Sequence, residues 1–116
     1  MKDKNDKKLT IASRLTLARK HAGLSQGQVA KMMGLHRPSI SEIEAGRRNV
    51  SSEELVKFAK IYSVSVSWLS AEDSETSDPQ KDKIELAARE LAKLKDEDLK
   101  KVIDLLSALR DSGDEK

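Results

Sequence analysis

Three glycines, Gly23, Gly34 and Gly46, divide the first half of the chain into short segments. Glycine adopts the left-handed conformation that ends a helix at little cost, so each of them is a candidate stop. Between the first two, Ser25 and Gln28 have the spacing of a capping box, which starts a helix. Segments this short, bounded by start and stop signals, predict two brief helices joined by a tight turn.

The residues on either side of this pair also follow the helical period. A first helix is predicted from about Leu9 to residue 21, because apolar residues recur every three or four positions. Ser51 and Glu54 form a second capping box, and Ser65 caps a short last helix that carries Trp68. No segment alternates apolar and polar residues as a half-buried strand does. The predicted fold class is therefore all-α, with five helices in residues 9–70.

Composition changes outside residues 9–70. Residues 1–8 are charged, have no apolar side chain after Met1, and are predicted to be a disordered arm. Residues 71–78 are acidic and polar and are predicted to be a linker. Residues 79–116 are predicted to form a two-helix hairpin, with Pro79 at its first helical position. The apolar stripes of the two helices are Ile84, Ala88, Leu91 and Leu94, then Leu99, Val102, Ile103, Leu106 and Leu109.

The hairpin needs a surface to cover its apolar stripes, since two short helices bury too little on their own. Three different surfaces could cover these stripes. The hairpin could dimerise with a second copy, pack on the N-terminal domain of its own chain, or bind another protein. The acidic linker favours some independence from the N-terminal domain, and hence dimerisation.

Charge is distributed unevenly along the chain. Residues 1–70 contain 13 Lys and Arg against 6 Asp and Glu, while residues 71–116 contain 9 against 14. This asymmetry indicates a polyanion-binding N-terminal part, although chance variation among solvated helix faces would also produce it. The chain has no cysteine, no apolar run long enough to span a membrane, and no apolar signal core after its charged start. A cytoplasmic protein is expected.

The predicted helix pair between Gly23 and Gly46 is typical of a helix-turn-helix, in which one face of the second helix stays free to enter a groove. The major groove of B-DNA, roughly 12 Å wide, admits one α-helix. The residues predicted on the exposed face of the second helix are Arg37, Pro38, Ser41 and Glu42, with Ser39 to the side and His36 near a phosphate.

Three signatures in order resemble the DNA-binding domain of the Cro and phage-repressor family of regulators. They are Ser25-Gln26-x-x-Val29-Ala30-x-x-x-Gly34-Leu35, Ile40-Ser41-x-Ile43-Glu44-x-Gly46 and Val64-Ser65-Val66-x-Trp68-Leu69. The resemblance covers about residues 10–70 and implies a five-helix lambda-repressor-like domain. It does not extend to residues 71–116.

The resemblance also implies a role for individual residues. Gln26 matches a glutamine that binds phosphate and braces the recognition helix. Arg37, Pro38 and Glu42 match base-reading positions, where the best-known phage repressors often carry glutamine, so their operators cannot be transferred. The loop residues Arg47, Arg48 and Asn49 match backbone contacts, and Arg19 with Glu44 matches an ion pair between the first and third helices.

Simpler roles are open for several of these residues. Arg37 could contact only phosphate, Glu42 could orient Arg37, and Pro38 could serve helix initiation alone. Gln26 could be only a good first residue of its helix. His21 and His36 are the sole histidines, and two imidazoles without cysteine do not make a convincing metal site. No cofactor is expected, and no catalytic motif supports an enzyme.

The function predicted from these features is sequence-specific binding of double-stranded DNA by a homodimeric repressor at an inverted-repeat operator. An antitoxin or a restriction-modification controller would have the same fold. A protein-interaction adaptor that does not read DNA is a further alternative, although it would not need arginines at positions 37, 47 and 48. The resemblance also implies a regulatory protein partner, either a metallopeptidase or a toxin.

Overall fold

A computed structural model of the chain describes residues 4–72 and 79–114. These ranges contain seven α-helices and no strand. The helices are α1 (Lys4–His21), α2 (Gln26–Met33), α3 (Arg37–Glu44), α4 (Ser52–Tyr62), α5 (Val66–Leu69), α6 (Pro79–Leu91) and α7 (Asp96–Asp114). The predicted all-α class is confirmed, with five helices before residue 72 and two after residue 78.

The hydrophobic core of the N-terminal part is formed by one face of each of the first five helices. Its largest fully buried side chains are Trp68 and Phe58, and Leu15, Ile40 and Leu69 lie in the same cluster. Each of these positions belongs to an apolar stripe at helical spacing, which explains why five short helices pack around one core. The core holds α2 and α3 at a fixed angle to α1, and α3 keeps one face outside it.

The core also contains a buried ion pair. The Arg14 guanidinium donates from Nε to the Asp82 Oδ2 atom at 3.1 Å and lies 3.0 Å from Oδ1 through its Nη2 atom. It also donates to the backbone oxygen of Trp68 at 2.6 Å and lies over the indole ring, 5.2 Å from its centroid. Asp82 belongs to α6, so the first turn of α6 is part of the N-terminal core.

The boundaries of the structural units differ from the predicted ones at two places. The first helix begins at Lys4 rather than near Leu9, since residues 4–8 contain good helix formers and an acidic residue near the helix N-terminus. The first compact unit runs to Lys83 rather than to residue 70, because Asp82 is tied to Arg14. Within the predicted linker, residues 73–78 lie outside the described residues.

The second compact unit comprises residues 84–116 and contains the rest of α6 and all of α7. Within this unit the two helices do not pack closely along their lengths, and Ile84, Ile103, Leu105, Leu106 and Leu109 are all more than half exposed. The predicted helices are present, but the hairpin is not closed. No helix in residues 4–72 or 79–114 is both long and apolar enough to cross a membrane.

Candidate DNA-binding surface

The turn between α2 and α3 is built from local signals. Ser25 and Gln28 form the predicted capping box, in which each side chain bonds the backbone N–H of the other. Gly34 ends α2 in the left-handed conformation at φ 73°, and the N–H of Leu35 returns to the oxygen of Ala30 at 2.8 Å. These bonds fix a tight turn, so α2 and α3 form the predicted helix-turn-helix.

A charged network joins α1, α2 and the end of α3. Glu44 accepts two bonds from the Arg19 guanidinium, at 2.7 and 3.1 Å, and a third from the Gln26 side-chain amide at 3.0 Å. Arg19 also donates to the backbone oxygen of Leu24 at 2.8 Å. The ion pair between Arg19 and Glu44 that the sequence predicted is therefore present in the structure. The Gln26 side chain contacts the last residue of α3.

The outer face of α3 presents its first turn to solvent. His36 precedes the helix without capping it through its side chain, and Pro38 stands in the first turn. His36, Arg37 and Pro38 are exposed, while Ser39 and Ser41 are partly buried. Within residues 4–72 and 79–114, Arg37 makes no hydrogen bond or ion pair, so its guanidinium is free to meet a ligand.

Glu42 pairs with Arg47 across the end of α3. The Arg47 guanidinium donates to both carboxylate oxygens of Glu42, with the shortest bond at 2.6 Å. These bonds hold the pKa of Glu42 below its ordinary 4.5 and raise that of Arg47. The partner of Glu42 is thus Arg47 rather than Arg37, which the sequence had offered as one alternative. In this arrangement the charge of each side chain is largely neutralised by the other.

The next loop residue, Arg48, is held by the start of α4. It donates to both carboxylate oxygens of Glu54, at 3.2 and 3.1 Å, and to the backbone oxygen of Asn49 at 3.2 Å. Glu54 also bonds the backbone N–H of Ser51, completing the second predicted capping box. The Arg48 guanidinium lowers the pKa of Glu54. Arg48 is therefore oriented by a carboxylate, whereas Asn49 is exposed beside it.

A basic cleft lies next to this loop and was missed by the sequence reasoning. Its volume is about 220 Å³. The basic residues Lys7, Lys8 and Arg48 and the polar Asn49 line one part of it, and the apolar residues Ile11, Ala12, Ile43 and Val50 line the rest. The two lysines fall in residues 1–8, which were predicted to be disordered. The signals that could have found them are local: Asp6 suits the first turn of a helix, and Lys7 and Lys8 are good helix formers.

The described residues hold no group of three or more His, Cys, Asp or Glu side chains that could bind a metal ion. The histidines stand in separate places, His21 at the end of α1 and His36 before α3. Polar side chains instead gather around the exposed face of α3, where arginine, serine, asparagine and lysine are the donors. Such donors bind phosphate oxygens and base edges.

Comparison with known proteins places residues 15–69 in the family described as Helix-turn-helix. Among curated proteins, the chain is 33% identical over 76 residues to the HTH-type transcriptional regulator PuuR of Escherichia coli. That match covers 66% of this chain and 41% of PuuR, so the chain spans about two fifths of that relative. It is also 28% identical to the HTH-type transcriptional regulator ImmR of Bacillus subtilis, covering 78% of this chain and 72% of ImmR.

Among solved structures, the chain resembles the restriction-modification controller protein C.AhdI from Aeromonas hydrophila. The TM-score is 0.54 and the sequence identity 31%, and the match covers 59% of this chain and 99% of the controller. The controller is thus matched over nearly its whole length, although the C-terminal part of this chain extends beyond it.

Proposed function

Because the chain belongs to the Cro and phage-repressor type of helix-turn-helix transcriptional regulators, we propose that it represses transcription by binding an operator in double-stranded DNA. In this proposal α3 enters the major groove and Arg37, Ser41 and Glu42 reach base edges. The observation that carries it is the unpaired, exposed Arg37 at the start of α3. A free guanidinium there can bind guanine O6 and N7 together.

Phosphate contacts surround α3 in this proposal. Gln26 lies at the N-terminus of α2, where free N–H groups and the helix dipole attract an anion. Arg47, Arg48 and Asn49 follow α3 on one side, and the basic cleft adds two more candidates, Lys7 and Lys8. Pro38 lies among the base-reading positions with Arg37 and Glu42, whereas His36 and Ser39 lie at the start of α3, where they can reach the DNA backbone. Such contacts position the protein on the duplex without reading its sequence.

We propose that the protein binds as a dimer and that its operator is an inverted repeat. One domain of this size makes too few base contacts for tight recognition, and a second copy related by two-fold symmetry doubles them. The half-sites would then lie one helical turn, roughly 34 Å, apart or a near multiple of it. The bound dimer would repress transcription by blocking the access of RNA polymerase to DNA. In a bacterial cell this process takes place in the cytoplasm.

The structural match to a restriction-modification controller supports a second candidate within the same class. A controller would use the same surface to regulate neighbouring restriction and modification genes. An antitoxin function, and a metallopeptidase or toxin as regulatory partner, remain predictions from the resemblance. The adaptor alternative is disfavoured by the basic residues around α3, since binding a protein does not require them.

Replacing Arg37 by alanine should relax the selected sequence at one base position in each half-site. The expected loss is about 1–3 kcal/mol of binding free energy, because a bidentate contact to guanine is removed. Replacing Glu42 should also alter the preference. Arg47→Ala should weaken binding to all sequences and reduce the salt dependence by about one charge, and it should also change the preference that Glu42 sets, because it frees the carboxylate that Arg47 holds. Selection of bound fragments from a random DNA library, followed by salt titration, measures all three.

The matched control is Lys57→Ala, which removes an exposed basic residue from α4, a helix outside the helix-turn-helix. It should leave both the consensus and the affinity nearly unchanged. An unchanged consensus after Arg37→Ala would reject base reading by this residue. A wild-type consensus without symmetry, bound by one chain per site, would reject the inverted repeat and dimer while leaving DNA binding in place.

A further inference from the structure

The longest uncovered apolar surface of the described residues lies along α7. Ile103, Leu105, Leu106 and Leu109 are 52%, 59%, 54% and 60% exposed, and no part of the second unit packs over them. With Leu99 and Val102 they form one continuous face of the helix, while Asp104 and Asp111 lie on the opposite face. An apolar face of this extent on a charged helix is typical of an interaction surface.

The spacing along this face fits a pair of packed helices. Leu99, Val102, Leu106 and Leu109 follow one another at intervals of three, four and three residues, the a and d positions of a heptad. Ile103 and Leu105 occupy the flanking e and g positions. Such a face packs against another helix with the same pattern, and a second copy of α7 supplies one.

The charges at the ends of this face select the direction of pairing. In an antiparallel pair with the apolar layers in register, Leu99 meets Leu109 of the second copy and Val102 meets Leu106. Arg110 then lies opposite Asp96 at both ends. In a parallel pair the acidic first turns of the two helices, Asp96 to Asp98, would lie side by side and repel. Leu105 would also face a charged Arg110.

We propose that α7 binds α7 of a second copy in an antiparallel pair, joining two chains into the dimer. Arg110 is available for this contact, since its approach to the adjacent Asp111 is a loose 3.7 Å between exposed side chains. Both Arg110 and Asp96 are exposed. The inference rests on the proposed function in one respect, that a two-fold operator needs two copies. The pairing itself requires no DNA.

The test measures the oligomeric state of the full chain without DNA, by sedimentation equilibrium. Leu106→Glu should raise the dimer dissociation constant on the order of tenfold or more, because a charge enters the apolar layers of both copies. The matched control is Ala108→Glu, which adds the same side chain on the opposite face and should leave dimerisation unchanged. Circular dichroism checks that both variants keep their helices.

A charge exchange tests the direction of pairing. Arg110→Asp should weaken the dimer roughly three- to tenfold, since two ion pairs become repulsive contacts. Adding Asp96→Arg to that variant should restore the dimer, because each pair is re-formed in reverse. Restoration occurs only in the antiparallel pair.

A monomeric wild-type chain, or a dimer unaffected by Leu106→Glu, would overturn the proposal. Loss of the dimer by Leu106→Glu without rescue by the charge exchange would overturn the antiparallel arrangement. DNA binding is measured separately by electrophoretic shift. A chain that binds DNA but does not pair through α7 therefore refutes this inference alone, and a chain that pairs but does not bind DNA refutes the proposed function alone.

Discussion

Replacing Asp82 by alanine should lower the free energy of unfolding by about 3–5 kcal/mol. The reason is that the buried Arg14 guanidinium would lose the carboxylate that accepts its Nε hydrogen bond and lies 3.0 Å from its Nη2 atom. The two side chains are 3% and 2% exposed, and Asp82 receives two of the guanidinium contacts. The contact to the backbone oxygen of Trp68 is a hydrogen bond to a neutral group and does not replace the carboxylate. Urea denaturation followed by circular dichroism measures the loss.

Two further variants decide whether this loss comes from the broken ion pair. Arg14→Met combined with Asp82→Leu replaces the ion pair by apolar side chains of similar size, and its stability should lie close to that of the wild type. Asp111→Ala removes a carboxylate from an exposed position on α7 and should change stability by less than about 0.5 kcal/mol. If Asp82→Ala lowered the free energy of unfolding no more than Asp111→Ala does, the buried ion pair would not stabilise the fold.

The same ion pair makes the N-terminal unit depend on residues after position 78. A chain that ends at residue 78 lacks Asp82, and it should be destabilised for the same reason as Asp82→Ala. Loss of DNA binding by such a chain would therefore report unfolding as readily as loss of the dimer. Point variants on α7 in the full chain avoid this ambiguity because they leave the first compact unit intact.

The parts of this structure that sequence predicts well depend on neighbouring residues. Ser25 and Gln28, three positions apart, close the capping box before α2, and Gly34 ends that helix. These interactions are decided within a few residues, so their spacing is visible in the sequence. The ion pair between Arg19 and Glu44 was predicted by a different route, since family resemblance carries information on contacts between helices that spacing alone does not.

The parts that were missed depend on distant residues. Arg14 and Asp82 are 68 positions apart. The sequence does not distinguish a buried arginine or aspartate from a solvated one. One signal was present: Arg14 stands three residues after Ile11 and four before Ala18, on the apolar stripe of α1. The pair between Glu42 and Arg47 was missed because it spans the end of a helix, where the spacing rules for helix faces no longer apply.

The second large effect is expected at Glu44, which holds three donors at the end of the recognition helix. Glu44→Ala would leave the partly buried Arg19 guanidinium without its carboxylate and would release the Gln26 amide. The free energy of unfolding should fall by about 2–3 kcal/mol, because hydrogen bonds between charged groups are lost. The Arg19 and Glu44 side chains are only 12% and 7% exposed, so water replaces these bonds poorly. Arg19→Ala should cause a loss of similar size.

A double-mutant cycle separates the pair from its surroundings. Arg19→Ala with Glu44→Ala should lose less than the sum of the single losses, by about 1–3 kcal/mol, since the second change removes a charge already stranded by the first. Glu54→Ala is the matched control, because it removes a carboxylate that binds Arg48 rather than Arg19, and its effect should add to that of Arg19→Ala. Additive losses from Arg19 and Glu44 would mean that their contact contributes nothing to stability. DNA affinity, measured where each variant is still folded, should fall more for Glu44→Ala than for Arg19→Ala, because only the former also frees Gln26 from α3.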